Sequence, residues 1–140
     1  MHIGVTGARK LTTEQVEQVK YEMWELDRDG NVWHVGDAGG VDAIAHEWVK
    51  NGTVKTYEVL GSEKWHYAER STRMVKAIAA AGGTLHAWVN KPAPKELKPA
   101  KSWGKANGSG TWGTVALAKG LGLEVEMHWL TDEIEEPDWL

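Results

Sequence analysis

The chain has no cysteine among its 140 residues, which excludes disulfides, thiolate metal sites and thiol catalysis together. Phenylalanine is also absent, while nine tryptophans and three tyrosines are present. Bulky core or contact positions therefore fall to indole rings, as at Trp24, Trp33, Trp48, Trp88 and Trp129. No apolar run reaches the roughly 18 residues of a membrane helix. The opening Met-His-Ile-Gly-Val-Thr-Gly lacks the basic start, apolar stretch and cleavage site of a secretory leader. A cytoplasmic protein with no membrane partner is expected. Positive charge is in deficit, with sixteen Lys and Arg against twenty Asp and Glu for a net charge of −4. That balance argues against general affinity for nucleic-acid backbone.

What is present fits one soluble globular domain: 41% hydrophobic residues, 26% charged, and a mean hydropathy of −0.46. Short β-rich runs alternate with segments of helical period, the pattern of βαβ units around a parallel sheet. Strands are expected at 2–6, 31–35, 53–60, 84–89 and 123–129. Thr12 and Gln15 are spaced as a capping box, and Val16, Val19, Met23 and Leu26 form one apolar stripe behind it. Further helices are expected at 41–49, 65–81 and from Gly110 to about Leu121. The expectation is an α/β, three-layer, Rossmann-like fold with a mainly parallel five-stranded sheet in one domain, 1–130. An acidic tail, 131–140, follows it. Residues 91–107 break the pattern as a long basic loop, with five lysines from Lys91 to Lys105 and Trp103 among them.

Three glycine-rich turns each open a helix: Gly7-Ala8-Arg9, Gly36-Asp37-Ala38-Gly39-Gly40, and Gly108-Ser109-Gly110-Thr111. In an open parallel sheet such turns share one edge, where ligands bind beyond the strand ends. Glycine admits a ligand close to the backbone, and helix N-termini present N–H groups to an anion. Ser109 and Thr111 add hydroxyls suited to phosphate oxygens. Glycines in such loops also serve tight turning alone. Neither G-x-G-x-x-G nor G-x-x-x-x-G-K-[ST] occurs, so no dinucleotide or P-loop site is expected, and no cofactor.

These three turns resemble the SLOG superfamily, which unites the DNA-processing protein DprA, the LOG-type cytokinin phosphoribohydrolases and small Rossmann-like proteins of bacteria and phages. The resemblance runs in order from about residue 2 to 126. Its most specific part is Gly36-Asp37-Ala38-Gly39-Gly40-Val41-Asp42-Ala43-Ile44-Ala45, extending to Trp48. Arg70-Ser71 with Met74 stands where smaller members show Arg-Asn before a Met, with Ser71 in place of Asn. The resemblance implies a nucleotide or related phosphate ligand and a homo-oligomer. It places Gly7, Ala8 and Arg9, then Gly36, Asp37, Ala38, Gly39, Gly40 and Asp42, with Arg70, and finally Gly108, Ser109, Gly110 and Thr111, against that ligand.

The phosphoribohydrolase branch carries a Glu three residues after the motif threonine, and here that position is Thr114. A hydroxyl is no carboxylate base at neutral pH. Asn107 replaces the first glycine of that motif. Asp37 or Asp42 stands as a substitute, Asp42 being the candidate catalytic residue, although a carboxylate in a first helical turn is favoured by the dipole alone. Arg9 and Arg70 suit bidentate phosphate contact or, equally, ion pairing with surface acids. His2, His34, His86 and His128 fall in separate strands without helical zinc spacing, so no metal site is expected. The 91–105 loop reads as a lid with Trp103 or Trp112 stacking on a base, or as a solvated loop. The first reading is a protein that senses or sequesters a nucleotide-derived ligand. A phosphoribohydrolase-like N-glycosidase and a single-stranded DNA-binding module are the alternatives.

Overall fold

Over residues 1–104 and 108–140, which a computed structural model describes, five strands alternate with four helices. They are β1 (His2–Gly7), α1 (Thr13–Leu26), β2 (Val32–Gly36), α2 (Val41–Trp48), β3 (Thr53–Tyr57), α3 (Lys64–Ala80), β4 (Thr84–Val89), α4 (Gly110–Gly120) and β5 (Glu124–Trp129). The sheet order is β3-β2-β1-β4-β5 and every pairing is parallel, so the expected Rossmann-like sheet is parallel throughout. Parallel strands bury both faces. Ile3 and Val5 of β1 pack with Val19 and Met23 of α1 and Val41 of α2 on one side. Leu85 and Val89 of β4 pack with Ile78 of α3 and Val115 of α4 on the other. Full burial of each such side chain contributes ~1.5–3 kcal/mol.

The local signals explain where elements start. Thr12 Oγ1 accepts from Gln15 N–H at 3.2 Å, and Gln15 Oε1 accepts from Thr12 N–H at 3.1 Å, closing the expected capping box at α1. No helix among the described residues is long and apolar enough to cross a membrane. From β1 the chain runs outward through β2 to β3, and α3 then returns it to β4 on the other side of β1. That reversal opens a crevice beyond Gly7 and Val89, the position where such sheets bind ligands.

Of the tryptophans expected at core or contact positions, Trp33 and Trp88 lie fully buried in the core, and Trp24, 71% exposed, and Trp48 stand on the surface. Two regions depart from the expectations. β3 ends at Tyr57, not Leu60. The acidic tail returns to the domain: Ile134, Trp139 and Leu140 pack against the α3–α4 core. Residues 91–104 form a strap across α4, anchored by buried Leu97 and by Ala93 and Trp103. Gly120 has no room for a Cβ because the Ala100 backbone lies against it.

Candidate ligand-binding edge

The first two turns lock onto each other. Ala8 N–H donates to Trp88 O at 3.0 Å, and Val41 N–H donates to Ala8 O at 3.0 Å, which ties the β1 turn to β4 and to the start of α2. Gly40 has φ +65°, a left-handed conformation that side chains other than glycine adopt at a cost. A Cβ there would strike Ala8 O and stand 2.6 Å from Arg9 Cα. At Gly7 a Cβ would stand 2.5 Å from Val41 Cγ2. At Gly36 it would stand 2.5 Å from Arg70 Nη1 and 2.8 Å from Asp42 Oδ2. All three glycines are required by the packing of the protein on itself.

A charge cluster sits behind these turns. Arg70, on the inner side of α3 and only 7% exposed, donates from Nη1 to Asp37 Oδ1 at 2.7 Å. Asp37 Oδ2 accepts from Val59 N–H at 2.9 Å. Asp42, also 7% exposed, accepts from Ala38 N–H at 3.2 Å. Burial pushes the Asp42 carboxyl up to about 6, against the opposing pull of the Arg70 guanidinium and the Ala38 hydrogen bond. His46 Nε2–H donates to Gly36 O at 2.8 Å and closes the network. Arg70 is thus committed to Asp37. Arg9 is different: it is exposed, and its guanidinium carbon lies 5.6 Å from the centre of the Tyr67 ring. Among the described residues it makes no ion pair.

The third turn is open. A Cβ at Gly108 or Gly110 would meet nothing within 4 Å among the described residues, and the same holds at Gly39. Gly108 has φ +80°. Ser109 caps α4, its Oγ accepting from Trp112 N–H at 3.2 Å and its carbonyl from Gly113 N–H at 3.0 Å. With Trp112 and Gly113 N–H taken up by Ser109, the Gly110 and Thr111 amides are the first-turn donors of α4 to which helix geometry gives no intrahelical acceptor. Thr114 is buried, and its hydroxyl donates to Gly110 O at 2.7 Å. Asn107 and Lys105 lie outside the described residues.

The two expected stacking residues are placed elsewhere. Trp112 is 1% exposed, donates from Nε1 to Lys91 O at 2.8 Å and stands edge-on to Trp139 with ring centres 6.0 Å apart. It anchors α4 and has no face to offer a base. Trp103 is half-buried against the same core. Both were placed at the ligand edge by proximity in sequence, which does not tell which way an indole turns.

A cleft of about 530 Å³ lies at the β1–β4 crevice, with Lys10, Thr12, Asn90, Lys91 and Glu133 among its walls. Asn90 Nδ2 donates to Lys10 O at 2.9 Å and to Gln15 Oε1 at 3.1 Å, bracing the β1 turn against the end of β4. Lys91 opens the basic loop expected as a lid, whereas Lys10 and Asn90 are wall residues that sequence reasoning missed. Their one signal was position, immediately after a glycine turn or a strand end.

A family model for DNA recombination-mediator protein A matches residues 1–99. The chain belongs to that family. The match spans β1 to β4 with both locked turns and Arg70, and the open turn lies beyond it. Among solved structures, DNA processing protein A from Helicobacter pylori, described for its single-stranded DNA binding mode, aligns with a TM-score of 0.59 at 16% identity. The alignment covers 91% of this chain and 64% of that one. At that identity it shows the fold, and the present chain spans less than two thirds of the relative's length. A comparison with curated proteins finds no match.

Proposed function

We propose that the C-terminal edge of the sheet binds the phosphate of a nucleotide, at the N-terminus of α4 and beside Arg9. The observation that carries this reading is that a Cβ at Gly110 would meet nothing within 4 Å among the described residues, so no contact among them demands a glycine there. Backbone amides at a helix N-terminus suit an anion, and the exposed Arg9 guanidinium, which makes no ion pair among the described residues, suits bidentate phosphate contact. A free nucleotide-derived ligand, sensed or sequestered, is the first form of this proposal.

Membership of the DNA recombination-mediator protein A family favours a second form, in which the phosphates belong to single-stranded DNA. Lys91, Lys95, Lys98 and Lys101 are exposed along the strap, a basic stripe from the ligand edge toward the far end of α4. Such a stripe suits a polyanion despite the net acidity. An N-glycosidase reading draws no support from the site: the Thr114 hydroxyl is committed to Gly110, and Asp42 is enclosed with Arg70. Self-association, which the superfamily resemblance implies, has a supporting surface in exposed Tyr21, Trp24 and Trp48. Sedimentation at several concentrations checks it.

Thermal-shift and calorimetric titrations with mononucleotides, cyclic and linear dinucleotides, and oligothymidylate separate the two forms. Micromolar binding of a small nucleotide with a raised Tm supports the first. Binding confined to oligothymidylate, steeply weakened by salt and by charge removal at Lys91, Lys95, Lys98 and Lys101, supports the second. No response to any of these probes sinks both.

A further inference from the structure

Spacing along the chain separates His86 from His128, and the sheet brings them together. In the β4–β5 register His86 lies opposite Glu126, and Trp88 opposite His128. All three candidate ligands therefore leave the same face of the sheet, the one that carries α1. His86 Nδ1 stands 2.9 Å from His128 Nε2 and 3.6 Å from Glu126 Oε2. The three ligand atoms all fall within 4.8 Å of one another. A tetrahedral zinc ion with ligands at about 2.0–2.2 Å holds its donor atoms about 3.3–3.6 Å apart. The His86–Glu126 spacing matches that range, and the His86–His128 pair, now joined by a hydrogen bond, stands somewhat closer.

An independent feature points the same way. His128 Nδ1–H donates to Glu22 Oε2 of α1 at 3.2 Å. Glu22 is itself held, its Oε1 accepting from Gln18 Nε2 at 3.1 Å and from Trp88 Nε1 at 3.3 Å. A carboxylate on the outer nitrogen of an imidazole fixes its tautomer and turns the other lone pair inward, the usual support of a metal-bound histidine. The hydrogen in the His86–His128 contact then resides on His86 Nδ1. Moving it to His86 Nε2 leaves two nitrogen lone pairs and one carboxylate oxygen converging on a point.

We propose that His86, His128 and Glu126 bind a divalent transition-metal ion, with Glu22 as the residue that positions His128. Two imidazoles with one carboxylate suit zinc and not the all-oxygen preference of calcium or magnesium. Glu126 is 61% exposed, so the fourth position faces solvent. The ion would join the edge strand β5 to β4 and, through Glu22, to α1. Because it would bind the folded state alone, it would raise the Tm.

Metal-stripped protein titrated with zinc chloride by calorimetry, and with cobalt chloride by visible absorption, tests this. One ion per chain is expected, with tetrahedral cobalt bands and a raised Tm. Glu126→Gln and His128→Gln each lower the affinity by tenfold or more, and Glu22→Gln lowers it about tenfold. His2→Gln, which alters the separate His2–His34 pair, leaves it unchanged. Glu126 lies on the surface, so Glu126→Gln keeps the fold, as far-UV circular dichroism verifies, and decides the matter if His128→Gln unfolds. Absence of stoichiometric zinc binding, or equal affinity in folded Glu126→Gln, overturns the proposal.

Discussion

At Gly40 an added methyl group would strike the Ala8 carbonyl and stand 2.6 Å from Arg9 Cα, whereas at Gly110 it would meet nothing within 4 Å among the described residues. Both glycines begin helices at the same edge of the sheet. The first is demanded by the protein's own packing, because α2 must start in contact with the β1 turn. The second is free of any such demand. A glycine-rich turn is therefore ambiguous on its own, and the space beside each glycine separates the two uses. Arg70 and Arg9 repeat the contrast: one guanidinium is buried and spent on Asp37, the other is exposed and without an acidic partner among the described residues.

The sharpest way to break this comparison is a methyl group on each side of it. Gly40→Ala forces a residue with a Cβ into φ +65° against the Ala8 carbonyl. It is expected to cost about 2–4 kcal/mol in urea unfolding, from the backbone conformation and the overlap together. Equal stability of this variant and the wild type would remove the locked turn from the account.

Next in size is the charge behind that turn. Burial raises the Asp42 carboxyl from an ordinary 3.8 to about 6, so the folded state holds its proton more tightly than the unfolded chain. The stability this group contributes is complete below pH 3.8 and is lost as pH rises through about 6. At about 1.4 kcal/mol per pK unit the loss is about 3 kcal/mol. Asp42→Asn should therefore gain on the wild type by up to that amount between pH 4 and 7, in unfolding followed at several pH values. His34, which burial lowers to about 4, works in the opposite sense: its burial costs stability at acid pH, and that cost is relieved as pH rises. It contributes equally to both proteins and cancels from the difference. A flat difference would contradict the buried carboxyl.

The smallest effect on stability is expected at the open turn. Gly110→Ala should change unfolding by no more than about 0.5 kcal/mol, since the new methyl group would meet nothing within 4 Å among the described residues. A cost approaching that of Gly40→Ala would show the two turns to be alike.

Much of the fold was legible because its signals are local. Thr12 with Gln15 announced α1, the alternation of apolar runs and helical stripes announced five strands with four helices, and glycine turns marked the shared edge. Less of the site was. Arg70 lies among the apolar inner residues of α3 because Asp37, distant in sequence, supplies a partner there. Buried residues run without interruption from Trp112 to Ala118 in α4, so no face distinguishes an indole in the core from one at a ligand. Leu97 pins the strap with no period around it to betray an inner side. His86 and His128 became neighbours only through the β4–β5 register, which spacing along a single strand does not encode.

The central claim is that the open turn holds phosphate, and one titration addresses it directly. Wild-type protein and Gly110→Val are compared by calorimetry against whichever of the mononucleotide, dinucleotide and oligothymidylate probes the wild type binds, with the Tm of each recorded first. The account predicts a variant that melts within a few degrees of the wild type and binds at least about tenfold more weakly, the loss of roughly one good contact. Equal affinity in the folded variant would place the phosphate elsewhere and contradict it.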